Sequence, residues 1–248
     1  MSATVAALWR HPIKSHGRES LDRVALSEGQ TMPWDRRWAV THESAKTDGS
    51  DWAPCMNFSR GAKAPSLMAI SAKSDETSGI VTLSHPELSD LSFDPDGNPN
   101  VFLEWVRPIM PENRAQSAGI VRVADRGMTD TDFPSISLLN LASNEALSAA
   151  MQTPLSMDRW RGNIILDCLN AWEEKNWPGK TLRIGDVELE IREEITRCLA
   201  TTANPETGVR DADTLKTLSG TFGHREFGVY GVVTKGGDIT VGDKVEVI

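Results

Sequence analysis

The chain has 248 residues, enough for one large domain or two small ones, and its 39% hydrophobic and 25% charged side chains are the balance of a globular protein rather than a disordered one. Its 26 basic against 35 acidic side chains leave a formal −9, which argues against a general nucleic-acid or anionic-membrane surface and confines any basic site to a local patch. Cys55, Cys168 and Cys198 are odd in number, far apart and without a C-x-x-C pair, which argues against a disulfide framework and a zinc finger.

At the start, the apolar stretch Val5–Trp9 is too short and too soon followed by Arg10 and His11 to read as a secretory signal. No apolar run reaches the roughly 18–20 residues of a membrane helix, so the expectation is a cytoplasmic protein of a reducing compartment. Residues 1–40 carry six basic side chains against four acidic ones, whereas residues 41–100 carry four against nine. The first strip is therefore a positive island, suited to a small anionic ligand, unless it is ordinary surface scatter. Short strands are predicted at Thr4–Leu8, Trp38–His42, Ser66–Ala72, Ile80–Ser84 and Gly119–Ala124. The second half adds Asn163–Asp167, Thr181–Ile184, Val187–Ile191, Val229–Thr234 and Lys244–Ile248. Turn signals such as Asp94-Pro95-Asp96-Gly97 and Lys235-Gly236-Gly237-Asp238 separate them. Helical character is confined to Gly97–Val106 and Ala142–Met151, the latter with Ser143 as its expected cap and Pro154 as its stop. The polar stretch Arg107–Ala118 divides the chain into two β-rich parts, 1–115 and 116–248. Many short strands with polar turns predict a mainly β fold of barrels or sandwiches, with few helices.

The usual phosphate-loop, dinucleotide, zinc-protease and serine-hydrolase motifs are absent, and no two of the five histidines stand at helical i, i+4 spacing. The most telling segment is Thr196-Arg197-Cys198-Leu199-Ala200-Thr201-Thr202-Ala203-Asn204-Pro205-Glu206-Thr207-Gly208. An arginine beside a cysteine favours the thiolate, the form that ligates a soft metal or attacks an electrophile. Taken alone, the same cysteine reads more readily as a buried, inert thiol, as most free cysteines are.

The order of motifs resembles the MOSC domain family (molybdenum cofactor sulfurase carboxy-terminal domain) with its amino-terminal β-barrel partner, and in particular the mitochondrial amidoxime-reducing component and its bacterial relatives. The pieces are His11-Pro12-Ile13-Lys14-Ser15, Asp35-Arg36-Arg37-Trp38, Asp158-Arg159-Trp160-Arg161-Gly162-Asn163-Ile164, the Thr196–Gly208 segment, and Phe227-Gly228-Val229-Tyr230. This resemblance implies a molybdenum cofactor (a molybdenum–pyranopterin) with Cys198 as metal ligand and catalytic residue. It implies further that Lys14, Ser15 and Arg36 hold the cofactor's anionic end, and that Arg161 and Asn163 hydrogen-bond the pterin. Thr196 and Arg197 flank the ligand, Tyr230 lies near the cofactor, and Ser135 or Ser137 stands on a contacting loop. Arg159 is a spare cation, read as a surface ion pair or as part of the site.

The implied activity is two-electron reduction of small N-hydroxylated substrates, with electrons from a separate donor protein, since no cluster-binding cysteine set is present. The alternative is a non-catalytic carrier of the cofactor, or of sulfur on Cys198. A third reading is a ligand-binding module that has lost its metal. Residues 44–65, with Cys55, match no part of the pattern, and Cys55 and Cys168 are read as structural. Lys14 and Arg36, read as exposed cations, are expected to be replaceable without loss of the fold. The site is expected in a cleft between the two halves, with Lys14 and Cys198 on it.

Overall fold

The computed structural model describes residues 3–248. The chain opens with β1 (Thr4–Arg10), β2 (Ile13–Lys14), β3 (Glu19–Leu21), β4 (Arg23–Leu26) and β5 (Trp38–His42). A meander of β6 (Ser71–Asp75), β7 (Ile80–His85) and β8 (Leu88–Phe93) follows, then α1 (Asn100–Val106) and β9 (Ser117–Val121). The remainder runs β10 (Ile136–Asn140), α2 (Leu141–Met151), β11 (Ile164–Asp167), β12 (Thr181–Ile184) and β13 (Val187–Thr196). It ends with α3 (Thr214–Thr217), β14 (Glu226–Lys235), β15 (Gly237–Thr240) and β16 (Val245–Val247). The fold is mainly β, as the alternation of the sequence predicts.

The larger sheet has the order β16-β12-β13-β14-β10-β11-β1-β3 and is antiparallel except where β10 meets β11. Three register shifts along the β13–β14 ladder bend it. The far edge curls back until Thr4 bridges Lys244, and the β4–β15 ribbon packs Val24, Leu26 and Ile239 into the same core. In β13, Val187, Leu189 and Ile191 are buried between outward-facing Glu188, Glu190 and Arg192, the period of two that marks a half-covered strand. β10 is buried along its whole length. Ile136 and Leu138 face the barrel core, while Leu139 packs with Leu147 of α2 and Trp160.

The second body joins the β2-β5-β9 sheet to the β6-β7-β8 meander around Trp38, Val40, Leu67, Val81, Leu83, Phe93 and Phe102. Strand pairing crosses the 115/116 division in both directions. β1, β3 and β4 pair with second-half elements or their neighbours, whereas β9 pairs with β5. The chain therefore passes between the two bodies at residues 11–12, 15–18, 27–37 and 122–135, and the site forms along these crossings.

Two local expectations need correction. Residues 66–72 are not one strand: Pro65 opens a 3₁₀ turn over Pro65–Ala69, and β6 begins only at Ser71. Proline fixes φ for a helical first turn, and the turn buries Leu67, Met68 and Ala69 together. α2 is capped by Asn140, whose side-chain oxygen accepts from the Ala142 N–H at 3.0 Å, and not by Ser143. Ser143 is buried one turn inside and donates to Glu174 instead.

Candidate functional site

A cleft of about 230 Å³ lies between the two bodies. Of the residues singled out from sequence, Lys14, Ser15, Arg36 and Arg161 line it, together with Thr196, Arg197, Cys198 and Tyr230. Ser137 lines it too, whereas Ser135 and Asn163 border an adjoining recess that shares Arg36, Asp130, Ser137 and Tyr230 with the cleft. Lys14 and Cys198 thus lie on one cleft formed from both halves, as expected.

The first wall is assembled around Asp35. The His11 N–H donates to its carboxylate at 2.8 Å, the His11 ring lies at 3.3 Å, and the Arg36 guanidinium closes on the other oxygen. Burial alone would raise the Asp35 pKa, but Arg36 and the His11 contacts hold it below the usual carboxylate range. His11 is pushed down to about 3 by burial and by Arg161, so it is neutral at pH 7. The backbone of Arg36 is pinned on both sides: its N–H donates to His11 O and its carbonyl accepts from Met128 N, each at 2.7 Å. Residue 127 has to be glycine there, because a Cβ would stand 2.3 Å from the Asp35 carbonyl oxygen. Ser15, Arg36 and Arg161 all adopt left-handed φ values of 64°, 50° and 49°. Non-glycine residues seldom do so, and three such residues on one cleft mark a place where geometry is held at a cost of about 1–3 kcal/mol each.

The positive island is largely neutralised by ion pairs, most of them with carboxylates from outside residues 1–40. Arg10 pairs with Glu19 and Glu76, Arg18 with Asp158, Arg23 with Asp238, and Arg36 with Asp35. Lys14 is not the exposed cation expected: it is 3% exposed. Its ammonium donates to the carbonyls of Met128 (2.9 Å) and Thr129 (3.1 Å) and to the Asp130 carboxylate. Against the partial desolvation of its half-exposed carboxylate, Lys14 and Arg36 hold the pKa of Asp130 down at about 2. Asp130, missed from sequence because it stands in a polar stretch without pattern, brings a negative charge into the cleft.

Arg161 spends Nη2 on the Gly17 carbonyl at 3.0 Å, while its buried Nη1 has no partner. Burial and then repulsion from Arg36 and Arg18 push its pKa down to about 9, so it remains cationic at neutral pH, and an anion beside it would relieve that strain. Asn163 is not free to bond a ligand as expected. Its oxygen accepts from the Ser137 N–H and hydroxyl, and its amide N–H donates to Trp9 O at 3.2 Å. It braces β10 against β1 and so places Ser137. Ser135 accepts from the Thr131 hydroxyl at 2.7 Å.

The second wall carries Cys198, whose thiol is free and solvent-exposed, so the buried-thiol reading fails. Arg197 beneath it is 9% exposed and donates to Trp160 O at 2.8 Å and to Phe227 O at 2.8 and 2.5 Å. Its guanidinium also lies 5.6 and 5.8 Å from the Trp160 and Phe227 rings, which stack on each other at 3.9 Å. Burial lowers its pKa to about 10. Arg197 is therefore a brace under the cysteine, with its N–H groups committed to carbonyls rather than open to a ligand. The Thr196 hydroxyl donates to Glu226 at 3.3 Å. After the cysteine, the Thr201 hydroxyl donates to Cys198 O and the Thr202 hydroxyl to Leu199 O, which fixes a 3₁₀ turn. The Asn204–Gly208 turn then docks on the other body. A Cβ at Gly208 (φ 70°) would stand 2.5 Å from the Ser66 Cα, so only glycine fits. Burial raises the Tyr230 pKa, keeping a neutral phenol at the back of the cleft.

The structural reading of the other two cysteines is corrected. Cys168 is exposed, just past the end of β11, where the buried pattern has already stopped. Cys55 lines the same cleft as Cys198 and accepts from Arg60 Nη1 at 2.9 Å. Segment 44–65 carried no recognisable pattern, so nothing in the sequence placed Cys55 or Arg60 at the site.

With this geometry in hand, residues 126–246 match the MOSC domain family and residues 2–107 the MOSC N-terminal beta barrel domain family. The chain belongs to the MOSC domain family and carries its N-terminal β-barrel partner. It is 26% identical to mitochondrial amidoxime-reducing component 1 of Mus musculus, over 98% of this chain and 81% of that protein. Against mitochondrial amidoxime reducing component 2 of Homo sapiens the identity is 34%, over 46% of this chain and 37% of that protein. A molybdenum cofactor sulfurase 2 of Culex quinquefasciatus is 36% identical over 30% of this chain and 10% of its own length.

Proposed function

We propose that the cleft holds a molybdenum–pyranopterin through Cys198 and that the protein reduces N-hydroxylated compounds such as amidoximes, hydroxylamines and N-hydroxylated bases. The observation that carries this reading is an exposed thiol on the same cleft as Arg161, a buried cation with an unspent N–H. Soft thiolate suits a thiophilic metal, and an unsatisfied guanidinium suits an anionic group. Among the described residues no three His, Cys, Asp or Glu side chains cluster as a metal site, so a metal at Cys198 takes its other donors from a bound group, as a dithiolene provides. The relatives named as amidoxime-reducing components support the reaction class.

When bound, the cofactor supplies two-electron redox chemistry, and R–N–OH with two electrons and two protons gives R–N–H and water. The protein's part is placement. Ser15, Arg36 and Arg161 serve the anionic and polar edges of the cofactor, with Lys14 and Asp130 setting the charge of that wall and Asn163 positioning Ser137. Arg197 and Thr196 hold the backbone that presents Cys198, with Arg197 acting through the Trp160–Phe227 stack. Tyr230 and Ser135 close the back of the cleft. Electrons come from a separate donor protein, which the open thiol side of the cleft leaves room to approach.

The test is direct. Protein from a molybdenum-replete host is analysed for metal and pterin and assayed for benzamidoxime reduction with an artificial electron donor. Stoichiometric molybdenum with turnover supports the reductase. Stoichiometric molybdenum without turnover of any N-hydroxylated probe replaces it with the carrier reading, and absence of both metal and pterin removes the two together.

A further inference from the structure

One part of the cleft is left over from the proposed cofactor placement. It consists of Arg159, Arg60 and the turns around them, and it lies beside Cys198. Arg159 borders the cleft and is 4% exposed. Asp211 takes its Nη2 at 2.7 Å, while Nε and Nη1 are buried without any partner. Asp211 is itself held by the Asn204 amide at 2.8 Å, so the guanidinium is anchored on one side and unspent on the other. Arg60, from the opposite body, also borders the cleft, and its side-chain contact is Nη1 on the Cys55 sulfur at 2.9 Å. The two are tied into one surface. A Cβ at Gly61 would stand 3.5 Å from the Ala200 side chain, and Arg210 reaches across to donate to Ala62 O at 2.9 Å. Two guanidinium groups there meet a single carboxylate.

A buried ionised donor without an acceptor is costly, and native proteins retain such groups where a ligand, ion or water completes them. An anion with several acceptor oxygens matches this arrangement, since it supplies charge and acceptors to both arginines. We infer that Arg159 and Arg60 form an anion subsite beside Cys198, and that the preferred substrates carry a carboxylate or phosphate as well as the N–OH group. The inference rests on the reductase reading and narrows its substrate class.

The experiment pairs charged with neutral probes on the cofactor-loaded protein. Turnover is compared for 4-carboxybenzamidoxime against benzamidoxime, and for N4-hydroxycytidine 5′-monophosphate against N4-hydroxycytidine, which separates carboxylate from phosphate. Binding of the non-reacting products, 4-carboxybenzamidine and benzamidine, is titrated in parallel. The charged member is expected to show a kcat/KM and an affinity about ten- to hundredfold better, as charge-assisted hydrogen bonds deliver. Arg159→Gln should collapse that ratio toward one, Arg159→Lys should restore part of it, and pterin content should stay at the wild-type level. Equal wild-type preference for charged and neutral probes overturns the subsite, as does an Arg159→Gln protein that loses pterin while keeping its ratio. Should Arg159→Gln not fold, wild-type protein still decides. Affinity for the carboxylated probe that falls with added salt, beside a neutral probe that is insensitive, supports the subsite, and equal sensitivity refutes it. Selective binding of the carboxylated product without turnover of any N–OH probe leaves the subsite standing and removes the reductase.

Discussion

Replacing Lys14 by Met separates a structural clamp from a ligand-seeking surface charge. Methionine keeps the length and apolar stem of lysine and removes only the ammonium. That ammonium is buried and donates to two backbone carbonyls, Met128 O and Thr129 O, and to Asp130. Losing it leaves Met128 O without a donor, at a cost of about 1–3 kcal/mol, and weakens the pairing of Thr129 O, which keeps the Trp52 indole N–H at 3.0 Å. The Asp130 side chain is 52% exposed, so water compensates most of its loss. Together the cost is about 2–4 kcal/mol. For a domain of this size that corresponds to a fall in Tm of roughly 4–16 °C. The assay is thermal and urea unfolding of protein from a host unable to make the cofactor, so that ligand binding does not enter. A double-mutant cycle with Asp130→Asn should show only a small coupling, because the carbonyls carry most of the cost. A Lys14→Met protein within about 2 °C of wild type would refute the clamp and restore the picture of a dispensable surface cation.

Other outcomes follow from the same contacts. His11 and His16 are buried and held down at about 3 and about 4 by desolvation first, so both are neutral when folded and titrate near 6.5 when unfolded. The unfolded chain thus binds more protons below pH 6.5, and stability falls with acid. Between pH 7.5 and 5.5 the two contribute a loss of about 3 kcal/mol, measurable as a lower urea midpoint, and an unchanged midpoint would contradict their burial as neutral groups. Arg197→Lys retains charge but not the fork that grips Trp160 O and Phe227 O, and it should cost about 2–4 kcal/mol in urea unfolding and lower molybdenum content. Cys198→Ser should stay folded yet lose reductase activity per bound pterin, because a hydroxyl is a harder and far less acidic donor than a thiol. Cys168→Ser, on the exposed side of β11, should change neither property.

Much of this architecture was legible because it depends on local pattern. Trp38–His42 and Thr181–Ile184 are strands with the predicted ends, and Val187–Ile191 reads correctly because its glutamates alternate with buried aliphatics. β10 escaped notice because both of its faces are covered, which removes the alternation, and β3 and β4 are too short to show any. Ser66–Ala72 was misread because an apolar run has the same composition whether it lies in a strand or in a proline-led turn. At the site, motif order alone groups Lys14, Arg36, Arg161, Cys198 and Tyr230. Burial and partners were not legible: nothing in the string shows that Lys14 is clamped by residues 128–130, or that Arg197 points away from its neighbouring cysteine.

The difference between motif membership and available hydrogen-bond capacity decides how the cleft works. A motif names the residues at a site, whereas the hydrogen-bond inventory shows which of them still have something to offer. Asn163, Arg197 and Lys14 have their polar atoms engaged inside the protein, and their contribution is the position of Ser137, Cys198 and the 128–130 loop. Arg161 and Arg159 are two residues apart, both border the cleft, and both keep buried N–H groups without a partner. Arg161 belongs to the wall with Arg36 and Ser15, and Arg159 to the wall with Asp211 and the Cys198 turn. The left-handed turn at Arg161 (φ 49°) ends the 3₁₀ segment that contains Arg159, so one short strained stretch brings two cations to the cleft that also holds Cys198. On the proposed reading, Arg161 serves the anionic cofactor and Arg159 the anionic group of the substrate, each through the N–H groups that the protein leaves unpaired.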